Sequence, residues 1–337
     1  MTQGIKIGNK TIGANAPVFI IADIGANHNG SLQQAKKLIR LAARCNVDAV
    51  KFQSYRLEYF ISKKYNPKGY EIIKKYQLPL EWNKILKNYC ENQGVLFMTT
   101  PFDVPMVDYL EKLDIYCYKI ASGDINFKKL LERVAATQKP VIVSTGGSQL
   151  GEIKNAVNIF QKSKSKIILL HAVLNYPCSY KEINLNFMPR LGKIFSLPYG
   201  LSDHSPGIEV ALASVALGAK VIEKHFTENR KQKGPDHKHS IMPDELCNLI
   251  KSVRNIEESL GKATKRINLS ELRRLCKARR SIYAIRDIEK GEHFNVNNVR
   301  ELRPNGPLSP ERMDSLLKRT AVRQIKNGER IEAKDLK

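Results

Sequence analysis

The chain has 337 residues, of which 42% are hydrophobic and 26% charged, the balance of a globular protein with room for one large domain and a small one. No apolar run approaches the ~18–20 residues that cross a bilayer, and Met1-Thr2-Gln3-Gly4-Ile5-Lys6 lacks the apolar core of a secretory leader, so a cytoplasmic protein with no membrane partner is expected. The formal charge of +23 is spread along the chain without a long basic block, which reads as a solvated basic surface that attracts an anionic small substrate, not a nucleic-acid tract.

In chain order, eight short apolar, β-branched runs recur, each ending in polar residues. Val18–Gly25 carries Asp23 and is followed by Asn27 and His28. A helical face follows at Leu32, Ala35, Leu38, Ile39 and Ala42. Ala49–Gln53 ends in Lys51 and Gln53, and Leu96–Phe102 carries Thr99 and Thr100. A second helical face is Met106, Tyr109, Leu110 and Leu113. Cys117–Ser122 carries Lys119 and Ser122, and Pro140–Gly146 carries Ser144 and Thr145. A weaker helical face at Ile153, Val157, Ile159 and Phe160 precedes Lys166–Ala172, which Asn175 and Tyr176 follow. Leu197–Ser205 carries Ser202, Asp203 and His204, and Lys220–Phe226 carries Glu223 and His225.

Strands alternating with helices predict an α/β fold, a (β/α)8 TIM barrel. The near-continuous apolar character of the strands fits a parallel sheet covered on both faces. A doubly wound open sheet is the alternative, but eight units in ~260 residues match the barrel. The helix Pro243–Leu260 closes it, giving a catalytic domain over 1–260. Residues 261–278 read as a basic linker with a helical piece. From 279 to 337, short alternating runs (Ser281–Ile285, Thr320–Val322) and a Glu289-Lys290-Gly291-Glu292 turn predict a small β-rich module. Six cysteines, at 45, 90, 117, 178, 247 and 276, form no CxxC pair, so reduced thiols are expected and a disulfide framework or zinc ribbon is not.

His204 and His225 stand 21 residues apart at the ends of neighbouring strand runs. On adjacent parallel strands they converge, and with Asp203, Glu223 and Asp236 beside them they suit a divalent metal with an open position, a catalytic arrangement. Asn27-His28-Asn29-Gly30 is read two ways: as a turn that caps the first helix, or as a segment that turns His28 toward substrate. His237 and His239 fall in the loop Lys231–Ser240, expected to be mobile, and read as loop polarity, with contact to phosphate or sugar as the alternative.

The motifs Ile21-Ala22-Asp23-Ile24-Gly25-Ala26-Asn27-His28-Asn29-Gly30, Val50-Lys51-Phe52-Gln53, Thr99-Thr100-Pro101-Phe102, Tyr118–Asp124, Gly200–His204, Ala216–Phe226 and Gly234-Pro235-Asp236 together resemble the sialic acid synthase family. That family comprises the N-acetylneuraminate, legionaminic acid and pseudaminic acid synthases. The tail from Ser281, with Ile288–Glu292 and Leu302-Arg303-Pro304, is similar to the antifreeze-like (SAF) domain of those enzymes.

The resemblance implies condensation of phosphoenolpyruvate with an open-chain N-acyl amino sugar, assisted by Mn2+ or Mg2+. It implies metal ligation by His204 and His225, with Asp23, Asp236 and His225 as catalytic residues. Lys51, Thr100, Lys119, Ser122 and Ser202 would bind phosphoenolpyruvate. Gln53, Asn175, Tyr176, Asp236 and Arg303 would bind the sugar. It further implies a domain-swapped homodimer in which Arg303 reaches the partner's barrel. Two departures stand out. Asp23 replaces the family's usual Glu, and Leu174 lies two residues before Tyr176, where a small polar residue is common. The competing readings are another metal-dependent barrel aldolase or phosphoenolpyruvate-condensing synthase, and a non-catalytic sugar- or ice-binding protein.

Overall fold

The computed structural model describes residues 4–13 and 15–337. They fall into two compact units that divide between Gly261 and Lys262.

The first unit opens with a hairpin, β1 (Ile5–Ile7) and β2 (Lys10–Ile12). Gly8, at φ +57°, supplies the left-handed turn that a two-residue hairpin loop needs. Eight parallel strands follow: β3 (Phe19–Asp23), β4 (Ala49–Ser54), β5 (Leu96–Pro101), β6 (Tyr118–Ile120), β7 (Val141–Ser144), β8 (Ile167–Ala172), β9 (Tyr199–Asp203) and β10 (Val221–His225). Their order is β5-β4-β3-β10-β9-β8-β7-β6, and the end strands β5 and β6 lie side by side, so the sheet is a nearly closed barrel.

Alternation along each strand sorts the side chains. Ile20, Ala22, Val50, Phe97, Val143, Leu169 and Ile222 face the helices in one large core. Phe19, Ile21, Ala49, Leu96, Met98, Ile142, Ile168 and Val221 face the lumen, where Ile5, Ile7 and Ile12 of the hairpin join them. The lower lumen is therefore filled with hydrocarbon. The next inward-facing positions up most strands are polar, among them Asp23, Lys51, Thr100, Lys119, Ser144 and Glu223, while Leu170 stays apolar.

The helices that cover the barrel begin where the sequence offers caps. α1 (Leu32–Arg44) starts at Ser31, whose hydroxyl accepts from the Gln34 N–H, and buries Ala35, Leu38, Ile39 and Ala42. The closing helix Pro243–Leu260 buries Leu246, Leu249, Ile250 and Val253. Because β3 and β10 are neighbours, α1 and this closing helix pack together. That contact brings Cys45 and Cys247 into a disulfide with a Cα–Cα separation of 4.6 Å. This corrects the expectation of reduced thiols throughout. The pair is 202 residues apart in sequence, and only barrel closure makes it adjacent. Cys90, Cys117 and Cys178 are buried thiols, and Cys276 is exposed.

The second unit holds the helix Leu269–Ala278, which lies in the stretch read as a linker. It is followed by the antiparallel pair β11 (Ser281–Ala284) and β12 (Val299–Leu302) and single bridges such as Ile288 with Ile325 and Ala321 with Leu336. Its core is Ile282, Ile288, Phe294, Val299, Leu316, Ile325 and Ile331. Among the described residues of both units, no helix is long and apolar enough to cross a membrane.

Candidate active site

Above the apolar layer, strand register sets charged residues side by side. Asp23 pairs in register with Lys51 on one flank and His225 on the other. Lys51 Nζ donates to Asp23 Oδ2 at 2.8 Å and lies 3.9 Å from Glu223 Oε2. Lys119 Nζ lies 3.7 Å from Glu223 Oε1 and donates to Ser144 Oγ at 2.6 Å and to the Ile120 carbonyl at 3.0 Å. Ser202 Oγ donates to Glu223 Oε1 at 2.9 Å. Glu223 Oε2 is buried without a hydrogen-bond partner.

Burial sets the electrostatics of this layer. Burial would raise the Asp23 carboxyl, but Lys51 and His225 beside it hold its pKa below the usual value. Burial likewise works against the Lys51 ammonium, and Asp23 and Glu223 outweigh it, so its pKa is raised. Lys119 is the less compensated cation. Burial pushes it down to about 8 despite the attraction of Glu223.

The second group surrounds His225. Ligand atoms of His225, Asp236 and His239 all lie within 4.8 Å of one another. Asp236 Oδ2 accepts from the Ala26 N–H at 2.8 Å. Gly25, at φ +51°, lets the chain pass close. A Cβ there would lie 2.5 Å from Asp236 Oδ2 and 3.3 Å from His225 Nδ1. His225 Nδ1 and His239 Nε2 are buried without partners. Unpaired, buried imidazole nitrogens beside a carboxylate are a donor set that ligates metal, so these residues fit a divalent cation.

His204 stands on another side of His225, with ring centres 5.7 Å apart. Its Nδ1 meets the Val173 carbonyl at 2.7 Å, which leaves Nε2 for a ligand. Burial, then the neighbouring His225, pushes His204 and His239 each down to about 4, so both are neutral at neutral pH, the form that ligates metal. The Tyr176 ring lies 4.1 Å from His204, 5.9 Å from His225 and 5.3 Å from His239, over the three rings.

His239 was read from sequence as loop polarity. The structure carries it into this group on a loop that is tied down. Asn27 Nδ2 donates to Ser240 Oγ and to the Phe226 carbonyl, each at 2.9 Å. His237 spans Thr227 Oγ1 at 2.6 Å and Asn29 Oδ1 at 3.2 Å. The i, i+3 spacing of Asp236 and His239 was the signal available. His28 takes the capping-turn geometry: its Nδ1 accepts from the Gly30 N–H at 3.1 Å, and its ring packs near Phe52 and Trp82.

The remaining candidates lie in different settings. Thr100 is buried and pairs in register with Gln53. Ser122 Oγ accepts from the Gly146 N–H at 2.9 Å. Asn175 is exposed and its amide donates to Glu182 Oε2 at 3.0 Å. Arg303 lies in the second unit and is exposed.

A parallel barrel with this paired-lysine layer and His/Asp group agrees with the family comparison, in which residues 38–265 match the NeuB family and 279–337 match the SAF domain. The chain belongs to the NeuB family. This NeuB-family chain is 39% identical to the N,N'-diacetyllegionaminic acid synthase of Campylobacter jejuni, over 93% of this chain and 98% of that one. It is 35% identical to the pseudaminic acid synthase of the same species, over 98% and 99% of the two chains. Among solved structures it superposes on the N-acetylneuraminic acid (sialic acid) synthetase of Leptospira borgpetersenii with a TM-score of 0.77 and 39% identity, covering 82% of this chain and 96% of that one. These three relatives bear the names of synthases of legionaminic, pseudaminic and sialic acid.

Proposed function

We propose that the protein condenses phosphoenolpyruvate with an open-chain N-acyl amino sugar, N-acetylmannosamine or a 2,4-diacetamido-trideoxyhexose. The products are a nine-carbon 2-keto-3-deoxy sugar acid and phosphate. The observation that carries this reading is the pair of buried ammonium groups, Lys51 and Lys119, set beside the His225–Asp236 group at the strand ends. A trianionic substrate needs the first, and an aldehyde that must be polarised needs the second.

In this reading Lys51 and Lys119 hold the carboxylate and phosphate of phosphoenolpyruvate, with hydroxyls from Thr100, Ser122 and Ser202 on the same anion. A divalent ion held at His204 and His225, Mn2+ or Mg2+, supplies a Lewis acid for the aldehyde oxygen. The phosphoenolpyruvate methylene carbon bonds to the aldehyde carbon, water adds at the adjacent carbon, and phosphate leaves. Asp23, within 3.7 Å of His225 Nε2, and Asp236 are the carboxylates at hand to take and return protons. Gln53, Asn175 and Tyr176 orient the sugar. The active species is a domain-swapped homodimer in which Arg303 of the second copy meets the acyl group.

The test is phosphate release and product mass with a panel of amino sugars and short aldehydes, with and without Mn2+. A nine-carbon keto acid from an N-acyl amino sugar is expected. Turnover of short aldehydes alone would make this a different barrel synthase, and no phosphate release with any acceptor would leave a binding protein.

A further inference from the structure

We propose that His239 is a direct metal ligand that joins His204, His225 and Asp236, and that its imidazole biases the site toward transition metals over magnesium. The inference rests on the metal-dependent reading above.

The first support is an unpaid hydrogen bond. Leaving a buried polar nitrogen unpaired costs about 1–3 kcal/mol. The described residues contain five such side-chain atoms, and two of them, His225 Nδ1 and His239 Nε2, belong to this one group. The His239 side chain is 5% exposed, and its Nε2 stops 3.9 Å from Asp236 Oδ1, too far to hydrogen-bond. An ion between them would satisfy all three residues at once.

The second support is ring geometry. With metal–nitrogen distances of about 2.1 Å, two imidazoles on one ion place their ring centres roughly 4.6–6.5 Å apart. The His225 and His239 centres are 4.9 Å apart, in an edge-to-face arrangement that keeps the rings from stacking on each other. The third support is the loop. The hydrogen bonds of Asn27 to Ser240 and of His237 to Thr227 and Asn29 flank His239 on both sides, so the side chain is held at the site before any ion arrives.

The consequence for selectivity follows from ligand chemistry. Magnesium takes oxygen ligands in near-octahedral geometry and keeps its waters. Imidazole suits iron, copper, nickel and zinc, and the imidazoles of His204, His225 and His239 with the Asp236 carboxylate leave the remaining positions for substrate oxygens. Each histidine added to the set moves the preference away from magnesium.

The test uses chelator-stripped, full-length protein, titrated calorimetrically with Mn2+ and separately with Mg2+. Wild type is compared with His239→Gln and His239→Ala, and apoprotein melting checks their folding. Loss of a group that only orients a ligand already lowers affinity 10- to 100-fold. Loss of a ligand should therefore weaken Mn2+ binding by about 100-fold or more in both variants, and the binding of Mg2+, which keeps its waters, by less. Variants that keep wild-type Mn2+ affinity and selectivity would overturn the role of His239 and leave the metal reading standing. A wild type that binds neither ion would defeat the metal reading itself. Should both variants fail to fold, acylation of the wild-type protein by diethyl pyrocarbonate, read by peptide mass spectrometry, decides. Mn2+-dependent protection of His239 supports ligation, and equal modification with and without the ion overturns it.

Discussion

Replacing Lys119 by Met tests the charged layer most directly, because this lysine should lose its proton within an accessible pH range. Burial pushes its pKa down to about 8, with Glu223 opposing and Lys51 adding to the shift. An anion that binds only the ammonium form competes with deprotonation as pH rises. The dissociation constant for phosphoenolpyruvate should then increase by about twofold at pH 8 and about tenfold at pH 9, relative to its neutral-pH value. The ligand does not confuse the reading, since the second ionisation of a phosphate ester, near pKa 6, is essentially complete at pH 7.5 and above. Lys51 does not share the behaviour, because Asp23 and Glu223 raise its pKa. Lys119→Met removes one charge-assisted contact to a desolvated anion, a loss of about 1.5–3 kcal/mol, or roughly 10- to 150-fold in affinity at neutral pH. It should also flatten the pH slope. Calorimetric titration of phosphoenolpyruvate across this range gives both numbers. A wild-type constant that stays flat, or a variant that keeps the slope, would refute the assignment of the anion to Lys119.

Other substitutions probe the neighbouring contacts. Gly25→Ala should cost about 1–2 kcal/mol for a side chain in the left-handed region and should push the Asp236 carboxylate aside; wild-type metal affinity in this variant would mean that Asp236 is not at the ion. Asp23→Asn takes the nearest counter-charge from buried Lys51, so turnover should fall sharply and urea stability by about 3–5 kcal/mol, while Asp23→Glu should recover part of the activity; an Asn variant with wild-type turnover would make the position structural. Reducing the Cys45–Cys247 bond, or replacing Cys45 by Ser, should lower stability by about 2–5 kcal/mol, since it frees a 202-residue loop; identical melting with and without reductant would show that the bond contributes nothing.

The barrel was legible because its signal is local. Each strand is a short run such as Phe19–Asp23, with inward and outward residues alternating and a polar end, and no distant partner is needed to recognise it. Lys51, Lys119 and Ser202 could be placed at strand ends for the same reason, whereas Glu223, read beside the histidines, sits with the two lysines and Ser202 instead. What stayed hidden depends on pairings between distant segments. Cys45 meets Cys247 only once the first and last helices of the barrel pack together. His239 looks like any loop histidine until Asn27 and Asn29, some 210 residues earlier, tie its loop to the mouth. The hairpin at Ile5–Ile12 was overlooked although its Gly8-Asn9 turn is a local signal, because three-residue strands give too little alternation to read.

That hairpin also governs traffic. With Ile5, Ile7 and Ile12 stoppering one end of the lumen, everything that reaches Lys51 and Lys119 arrives and departs through the opposite opening. The two lysines are 3% and 2% exposed, whereas Tyr176 above them is 48% exposed. Under the proposed reading the deep anion must load before the sugar that rests on Tyr176, and the long-chain product must clear the opening before phosphate can follow. A dead-end barrel thus imposes a queue. Initial-rate kinetics should show a compulsory order, with phosphate competing directly against phosphoenolpyruvate and not against the sugar.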